Sequence, residues 1–393
     1  MKKKLSLFDL LTQAQQAEGE NADLAGIYNH FLVSQANDMR KAIGIQLELL
    51  PLCNFNCGFC YIRKSPEELK AAGQRILRFD DWKYYIDECV RLGMDGIAFS
   101  GGECTIHPDF VQLYEYAYKK NLQLSIITNG SNITDEIFDL FVKCPPTKIN
   151  VTLYGMSAET YERTCGNGAA FEKVMRNIDR LITRGFTVIL NYTAGKENFS
   201  DMDAVLAYAR ERKLAVFPTD ALINSGKCDD ETVAQEVVDY KEYKQLETAH
   251  LSKVTGVSAS DYIDEFFSSF VIPREPDKKG LQCSAGKSMI FINWQGMMVP
   301  CISFDKFTFD PRKLGFAECW RQVQEWSDNV PLLDECMKCI FQRKCRLCAA
   351  AHYGDTGEFG KVSARFCFKK LYPEQAAKIQ ARYDEMKANG EIE

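Results

Sequence analysis

The sequence predicts an α/β fold, a partial TIM-like (β/α)6 barrel. Six short apolar runs alternate with stretches in which apolar residues recur at helical spacing. Strands that alternate with helices form βαβ units and a parallel sheet. The predicted strands are residues 43–50, 96–100, 122–128, 149–154, 187–192 and 214–218, and the predicted helices are 80–92, 108–120, 133–142, 157–183 and 199–212.

Length and composition narrow the class of protein. The chain has 393 residues, enough for such a barrel and an appended domain. Its net charge of −6 argues against a general nucleic-acid-binding protein. It lacks a signal peptide and any apolar run of about 18 residues, so neither export nor a membrane span is expected. Sixteen cysteines in such a chain favour metal or redox use in a reducing cytoplasm.

Composition shifts divide the chain into five regions. The first carries apolar residues at helical spacing, among them Leu7 and Leu10, and is predicted to pack against or cap the barrel. Cysteines mark the fourth region. The predicted regions are a helical extension (1–42), the partial barrel (43–223), a helical bridge and linker (224–282), a cysteine-rich domain (283–370) and a C-terminal helix (371–393).

A cysteine motif follows the first predicted strand. Cys53, Cys57 and Cys60 have C-x3-C-x2-C spacing, and closely spaced thiolates select iron–sulfur clusters, zinc or copper(I). A [4Fe–4S] cluster normally takes four cysteines. If this loop holds such a cluster, one iron is left without a local protein ligand and can bind another molecule. A structural zinc site is the alternative for these three residues.

A second group of cysteines begins at residue 283. Cys283 is followed by twelve residues, Gly296, four residues and Cys301. The C-x2-C-x5-C-x2-C sequence after a gap would suit a tetrahedral zinc site as well as a cluster. The cysteines after this gap are Cys336, Cys339, Cys345, Cys348 and Cys367.

Glycines and polar residues stand where the predicted strands end. In (β/α) barrels the chemistry lies at the carboxyl ends of the strands. The second strand ends in Gly101-Gly102-Glu103. The glycines allow a ligand to approach the backbone, and the carboxylate can accept hydrogen bonds from an ammonium group. The candidates at the next strand ends are Asn129, Thr152 and Asn191.

The cysteine loop and the Gly-Gly-Glu sequence together resemble the radical SAM superfamily. The resemblance implies that Cys53, Cys57 and Cys60 hold a [4Fe–4S] cluster whose open iron binds S-adenosylmethionine (SAM). The reduced cluster then cleaves SAM to methionine and a 5′-deoxyadenosyl radical, so the cofactor supplies the chemistry. The implied SAM contacts are Gly101, Gly102 and Glu103 at the amino group, Asn129 and Thr152 at the ribose and carboxylate, Phe59 near the adenine, and Asn191.

The C-terminal cysteines resemble the SPASM domain, the auxiliary-cluster module of radical SAM peptide maturases. The sequence departs from that pattern where two residues, rather than three, separate Cys345 from Cys348. The resemblance implies two auxiliary [4Fe–4S] clusters, one of them with a potential open site. It assigns Cys336, Cys339, Cys345 and Cys367 to the closed cluster, and Cys283, Cys301 and Cys348 to the other.

The predicted function is hydrogen abstraction from a ribosomally made precursor peptide, which leads to a crosslink, a thioether or an epimerised residue. The expected partners are this peptide and an electron donor such as flavodoxin or ferredoxin. Residues 1–42 are too few for a winged-helix recognition domain, so a separate leader-peptide-binding protein is a further expected partner.

Three alternatives stay open. A sulfatase maturase typically has a catalytic Asp directly after the cysteine equivalent to Cys301, whereas this chain has Ile302 there and Asp305 as the nearest acid. Radical chemistry on a small molecule fits the same motifs. A zinc-binding interaction protein without turnover is the alternative outside the enzymes, and the Gly-Gly-Glu sequence and strand-end residues argue against it.

Overall fold

The protein forms an open, mostly parallel α/β sheet of eight strands, with helices between successive strands. This computed structural model describes residues 24–219, 238–239, 242–243, 268–271, 280–304, 306–331, 333–345 and 347–392. The strands are β1 Gly44–Glu48, β2 Gly96–Ser100, β3 Gln123–Thr128, β4 Lys148–Thr152, β5 Val188–Thr193, β6 Ala215–Thr219, β7 Met289–Ile292 and β8 Met298–Val299.

The order of the sheet confirms the predicted α/β class and extends it. Strands β1 to β6 lie in sequence order and pair in parallel, and the sheet is not closed. Two short strands from the cysteine-rich region continue the sheet beyond β1. Strand β7 pairs in parallel with β1, aligning Met289 with Gly44, and β8 turns back antiparallel to β7.

The helices follow the predicted alternation, with two differences. A short helix, α2, lies between β1 and β2 and is capped reciprocally by Ser65 and Glu68. The predicted helix 157–183 is divided after Cys165, because Gly166 adopts a left-handed conformation that ends the first part. The helices are α1 Leu24–Met39, α2 Pro66–Ala71, α3 Phe79–Arg91, α4 Phe110–Lys119, α5 Asp135–Lys143, α6 Ala158–Cys165, α7 Phe171–Thr183, α8 Met202–Glu211, α9 Pro311–Leu314, α10 Phe316–Asn329, α11 Asp334–Met337, α12 Ala349–Thr356, α13 Phe368–Leu371 and α14 Pro373–Ala388.

One hydrophobic core joins the sheet to its helices. Ile45 and Leu47 of β1 and Phe99 of β2 are fully buried in it. The same core reaches Phe316 and Val323 of α10, beyond the predicted barrel. The C-terminal region therefore shares the hydrophobic core of the sheet and does not rely only on a core of its own.

Polar contacts also join the C-terminal region to the rest of the chain. The Tyr85 hydroxyl of α3 donates a hydrogen bond of 2.6 Å to the carbonyl of Gly296, in the β7–β8 turn. Arg40, after α1, forms an ion pair with Asp328. The packing role predicted for the N-terminal extension stays a prediction, and Leu7 and Leu10 lie outside the described residues.

Most of the predicted bridge, 224–282, also lies outside the described residues. The proposed domain boundaries therefore stay predictions. Within the described part of the chain, no helix is long and apolar enough to cross a membrane.

Candidate active site

The cysteine loop is anchored to the carboxyl end of β2 by backbone hydrogen bonds. The amide of Gly102 donates to the carbonyl of Leu50 at 2.7 Å, and the amide of Glu103 donates to that of Leu52 at 3.0 Å. Both contacts lie just before Cys53. The start of the loop is therefore held against the end of the neighbouring strand.

The three thiols of the loop line one cavity of about 300 Å³ at the carboxyl ends of the strands. Within the described ranges, no three Cys, His, Asp or Glu side chains surround a single ion position. A four-iron cluster binds its cysteines through different irons, so thiols that line a common cavity fit its donor set. The cavity is lined by Cys53, Phe55, Cys57, Phe59, Cys60, Tyr61, Ile62, Ser100, Gly101, Gly102, Ile127, Thr128, Asn129, Thr152, Tyr154, Thr193, Ile302 and Ser303.

Burial controls the protonation of the Cys53 and Cys57 thiols. It raises the pKa of Cys53 to about 11 and also raises the pKa of Cys57. The Phe55 amide donates to the Cys53 sulfur at 3.4 Å and lowers that pKa in part. Both thiols therefore carry protons near neutral pH, and a soft metal must displace those protons when it binds.

The two glycines of the Gly-Gly-Glu sequence allow backbone segments to approach closely. A Cβ on Gly101 would lie 2.7 Å from the carbonyl oxygen of Leu50, and the φ of Gly101 is +149°. A Cβ on Gly102 would overlap the carbonyl of Leu52 and lie 2.9 Å from the oxygen of Pro51. Side chains at either position would push the cysteine loop away from β2.

The Glu103 carboxylate is fully buried and bonded within the protein. It accepts hydrogen bonds from the Thr128 hydroxyl at 2.7 Å and from the Asn129 amide at 2.7 Å. The hydroxyl and amide of Thr105 donate to it as well, at 2.5 and 3.1 Å. Burial raises its pKa and these donors lower it in part. The side chain thus holds the end of β3, while Gly101 and Gly102 line the cavity.

The other predicted SAM contacts lie at the ends of β3 to β5. The Asn129 side chain donates to the Asn54 side chain at 2.9 Å and to the Cys53 sulfur at 3.7 Å, which ties β3 to the cysteine loop. Thr152 lines the cavity, and Asn191 of β5 is aligned with Thr152 in the parallel pairing of β4 and β5. Thr193, two residues further along the same face of β5, lines the cavity.

Several cavity residues were missed by sequence reasoning. Tyr61 follows Cys60, and its hydroxyl donates to the buried Glu48 at 3.1 Å. Burial raises the pKa of Tyr61, and Glu48, Cys60 and Cys301 raise it further. Ile302 and Ser303 come from the C-terminal region. The position of Tyr61 directly after Cys60 could have indicated it from the sequence. Ile302 and Ser303 reach the cavity only because segments far apart in the chain fold together.

The structure brings four of the C-terminal thiols together at a second cavity of about 160 Å³. Burial and, to a smaller extent, the charges of the three other thiols raise the pKa of Cys336 to about 12. Burial also raises the pKa of Cys345 to about 11, while the charge of Lys369 acts in the opposite direction. The four cysteines that line this cavity are Cys336, Cys339, Cys345 and Cys367.

The remaining three predicted thiol ligands form a separate group. Burial raises the pKa of Cys301 to about 11, and the nearby Cys348 and Cys283 raise it further. Cys301 and Cys348 also border one apolar cluster around Phe304. Cys336, Cys339, Cys345 and Cys367 thus share a cavity that Cys283, Cys301 and Cys348 do not line. The assignment of the seven thiols to two clusters stays a prediction.

The other described cysteines are buried in the protein core. Cys104 directly follows Glu103, and its thiol donates to the carbonyl of Ile127 at 3.4 Å. Cys165 donates to the carbonyl of Tyr161 at 3.1 Å. Cys228 lies outside the described residues. The remaining buried examples are Cys89, Cys144 and Cys319.

Residues 47–209 match the Radical SAM superfamily. This stretch includes the cysteine loop and the carboxyl ends of β1 to β5, so the described cavity belongs to a radical SAM domain. The chain is therefore a radical SAM enzyme. SAM and one [4Fe–4S] cluster are the cofactors that this class uses.

The chain is similar over most of its length to curated proteins of differing activities. It is 24% identical to the AdoMet-dependent heme synthase of Methanosarcina barkeri, over 80% of this chain and 93% of that protein. It is 22% identical to the subtilosin biosynthesis protein AlbA of Bacillus subtilis, over 87% and 75%. It is 25% identical to the PqqA peptide cyclase of Granulibacter bethesdensis, over 80% and 84%.

The fold is similar to that of Streptococcus suis SuiB, whose structure was solved with its precursor peptide SuiA. The TM-score is 0.63 at 14% sequence identity, over 85% of this chain and 78% of SuiB. At this identity the likeness concerns the fold. The similarity extends beyond the radical SAM domain into the cysteine-rich region.

Proposed function

We propose that this enzyme abstracts a hydrogen atom from a ribosomally made precursor peptide and directs the resulting radical to a crosslink, a thioether or an epimerised residue. The proposal includes auxiliary [4Fe–4S] clusters on the two C-terminal thiol groups. Similarity to the PqqA peptide cyclase and to AlbA, a bacteriocin biosynthesis protein, supports a peptide substrate.

The observation that carries the proposal is a shared cavity. Ile302 and Ser303, directly after Cys301, line the same cavity as Cys53, Cys57 and Cys60. A cluster on the Cys301 group would therefore lie beside the place where a substrate radical forms. Such a cluster can accept the electron that the product radical must lose when a crosslink forms.

The residues of the chain have separate tasks at this cavity. A cluster with SAM on Cys53, Cys57 and Cys60 supplies the 5′-deoxyadenosyl radical when bound. Gly101 and Gly102 line the cavity, and the proposal assigns their backbone to the amino group of SAM. Asn129 and Thr152 offer polar atoms to SAM, and Phe59 offers an apolar face.

The residue directly after Cys301 bears on the sulfatase-maturase alternative, because it lines the cavity. Ile302 is apolar where a sulfatase maturase would have its catalytic Asp, which speaks against that alternative.

A small tetrapyrrole is the second candidate substrate. The similarity to the heme synthase covers 93% of that protein, more than the match to either peptide-related protein covers. This candidate uses the same cluster, the same SAM contacts and the same radical. The two proposals differ only in the molecule that gives up the hydrogen atom.

The test follows the transferred hydrogen. Anaerobically reconstituted protein is incubated with SAM, a reductant and a perdeuterated precursor peptide. The proposal expects deuterium in 5′-deoxyadenosine and a modified residue in the peptide by mass spectrometry. The matched incubation uses an iron–tetrapyrrole carrying deuterium on its side chains. Transfer from the tetrapyrrole and not from the peptide would contradict the peptide proposal.

A further inference from the structure

Positive charge is concentrated around one of the C-terminal thiol groups. Residues 336–382 contain ten Lys and Arg but three Asp and Glu, in a chain whose net charge is −6. This segment also contains Cys336, Cys339, Cys345 and Cys367. Of these cations, Lys369 and Lys370 line the cavity of about 160 Å³ beside the thiols, together with one carboxylate, that of Glu335.

Two lysines of α13 place this charge at the cavity itself. Lys369 and Lys370 line the cavity together with the thiols, and both are exposed. The ammonium of Lys370 donates to the carbonyl of Val362 at 3.2 Å, which orients it. Glu335 is an exposed carboxylate that lines the same cavity. We call Lys369 and Lys370 the lysine rim.

Other cations of the segment have partners within the fold. Arg365 pairs with Asp355 at 2.6 Å, and Lys361 pairs with Glu358 at 2.9 Å. Lys344 is buried and donates to the Ser269 hydroxyl at 3.1 Å. These cations stabilise the region, whereas the lysine rim presents its charge to solvent beside the thiols.

We propose that the lysine rim is the docking surface for an acidic, one-electron carrier protein. The inference rests on the proposed function, because it needs a redox cluster on Cys336, Cys339, Cys345 and Cys367. Complementary charge speeds association and fixes orientation. A carrier seated here brings its redox group to the thiol cavity. It loses one electron, the iron–sulfur centres gain one, and no bond or proton is transferred.

The location separates this partner from the substrate. The lysine rim lies at the cavity lined by α11, α13 and their flanking turns, whereas the SAM cavity is lined by the strand ends and by Ile302 and Ser303. A partner at the lysine rim need exchange only an electron. An acidic precursor peptide is the competing occupant, and the experiment below tests it directly.

The experiment compares Lys369→Glu/Lys370→Glu with a matched control, Lys148→Glu/Lys173→Glu, which makes the same charge change at two exposed lysines. Binding of oxidised flavodoxin to the reconstituted proteins is measured by surface plasmon resonance between 50 and about 300 mM salt. Cluster reduction is followed by absorbance, with photoreduced flavodoxin or with neutral 5-deazaflavin as the reductant.

We expect the rim variant to bind flavodoxin about tenfold more slowly at low salt, with the difference shrinking at high salt. Its clusters should be reduced more slowly by flavodoxin but at the unaltered rate by 5-deazaflavin. The control should match the parent protein in both assays.

Unchanged flavodoxin binding in the rim variant would overturn the inference. So would a loss of precursor-peptide binding with flavodoxin binding intact, since the rim would then serve the peptide. A measured iron content of only about four per chain would instead refute the auxiliary clusters and thus the proposed function. Failure of the docking surface and failure of the proposed function are therefore distinguishable.

Discussion

The N-terminal and C-terminal thiol groups are held by different kinds of structure. Cys53 and Cys57 pack against the main hydrophobic core, and Phe55 between them is buried in it. The flanking backbone is bonded to the end of β2. Packing of the sheet therefore positions this loop before any metal binds.

The C-terminal thiols depend on smaller elements. Cys336 lies in the four-residue helix α11, and Cys367 lies directly before the four-residue helix α13. Two small apolar clusters back these segments, one around Phe341 and one around Phe304. Short helices contribute little stability of their own. Bound metal should therefore contribute more folding free energy in the C-terminal region than at the N-terminal cysteine loop.

The largest expected effect comes from removing each thiol group. Replacing Cys53, Cys57 and Cys60 by Ala should lower iron from about twelve to about eight per chain and abolish SAM cleavage. Protection of the C-terminal region against hydrogen exchange should not change. Replacing Cys336, Cys339 and Cys345 should also remove about four irons, but should lower protection across residues 280–392.

Iron, acid-labile sulfide and hydrogen exchange check this pair of variants under anaerobic conditions. Equal loss of protection in both variants would contradict the difference between the regions. About four irons with bound zinc would mean that the C-terminal thiols are structural. Zinc without iron would contradict the radical mechanism itself.

A smaller change should disturb the N-terminal site through its backbone. Gly102→Ala places a methyl group against the Leu52 carbonyl and so displaces the cysteine loop. A displacement of about 1 Å costs on the order of 100-fold in rate, so 5′-deoxyadenosine formation should fall by about that factor. C-terminal protection should be retained.

Gly73→Ala is the control for this substitution. Gly73, unlike Gly102, has a positive φ, +61°, and no atom lies within 4 Å of an added Cβ. We expect a stability loss of about 1 kcal/mol with SAM cleavage retained. If both variants cleave SAM at the parent rate, the close approach at Gly102 does not position the loop.

The smallest expected effect concerns an ion pair between the radical SAM domain and the C-terminal region. Asp81 of α3 pairs with Arg75 at 2.6 Å and with Arg312 of α9 at 3.2 Å. The hydrogen bond from Arg75 lowers the pKa of Asp81 to about 2. Asp81→Asn should cost about 0.5 to 1 kcal/mol near neutral pH, the scale of a solvent-screened pair.

The sign of the pH dependence follows from the lowered pKa. The stabilisation is present above the ordinary carboxyl pKa of 3.8 and is lost as the pH falls toward about 2. Denaturant unfolding of parent and variant should therefore differ at pH 7 and converge near pH 2. A difference that persists at pH 2 would show that the charge of Asp81 is not the cause.

Local sequence patterns were sufficient for most of the radical SAM domain. All six predicted strands of the barrel are present, with ends that differ by a few residues. Apolar periodicity is a local property, and parallel strands alternate with helices along the chain. The carboxyl ends of the strands meet at one edge, so Gly101, Asn129 and Thr152 could be grouped from the sequence.

The sequence could not predict the extension of the sheet by β7 and β8. These strands have four and two residues, too short for a periodic signal, and β7 pairs with a strand more than 200 residues away. Resemblance to a family, rather than spacing, divided the C-terminal thiols into two sets. The structure places four of these thiols, Cys336, Cys339, Cys345 and Cys367, at one cavity.

The sequence by itself determined the class of fold, the cysteine loop and the strand ends that line the cavity beside Cys53, Cys57 and Cys60, because these depend on local spacing and strand order. Only the tertiary structure decided that Ile302 and Ser303 reach this cavity, that Glu103 faces β3, and that the lysine rim borders a thiol cavity. Those contacts join segments far apart in the chain, and they arise from packing that no local pattern encodes.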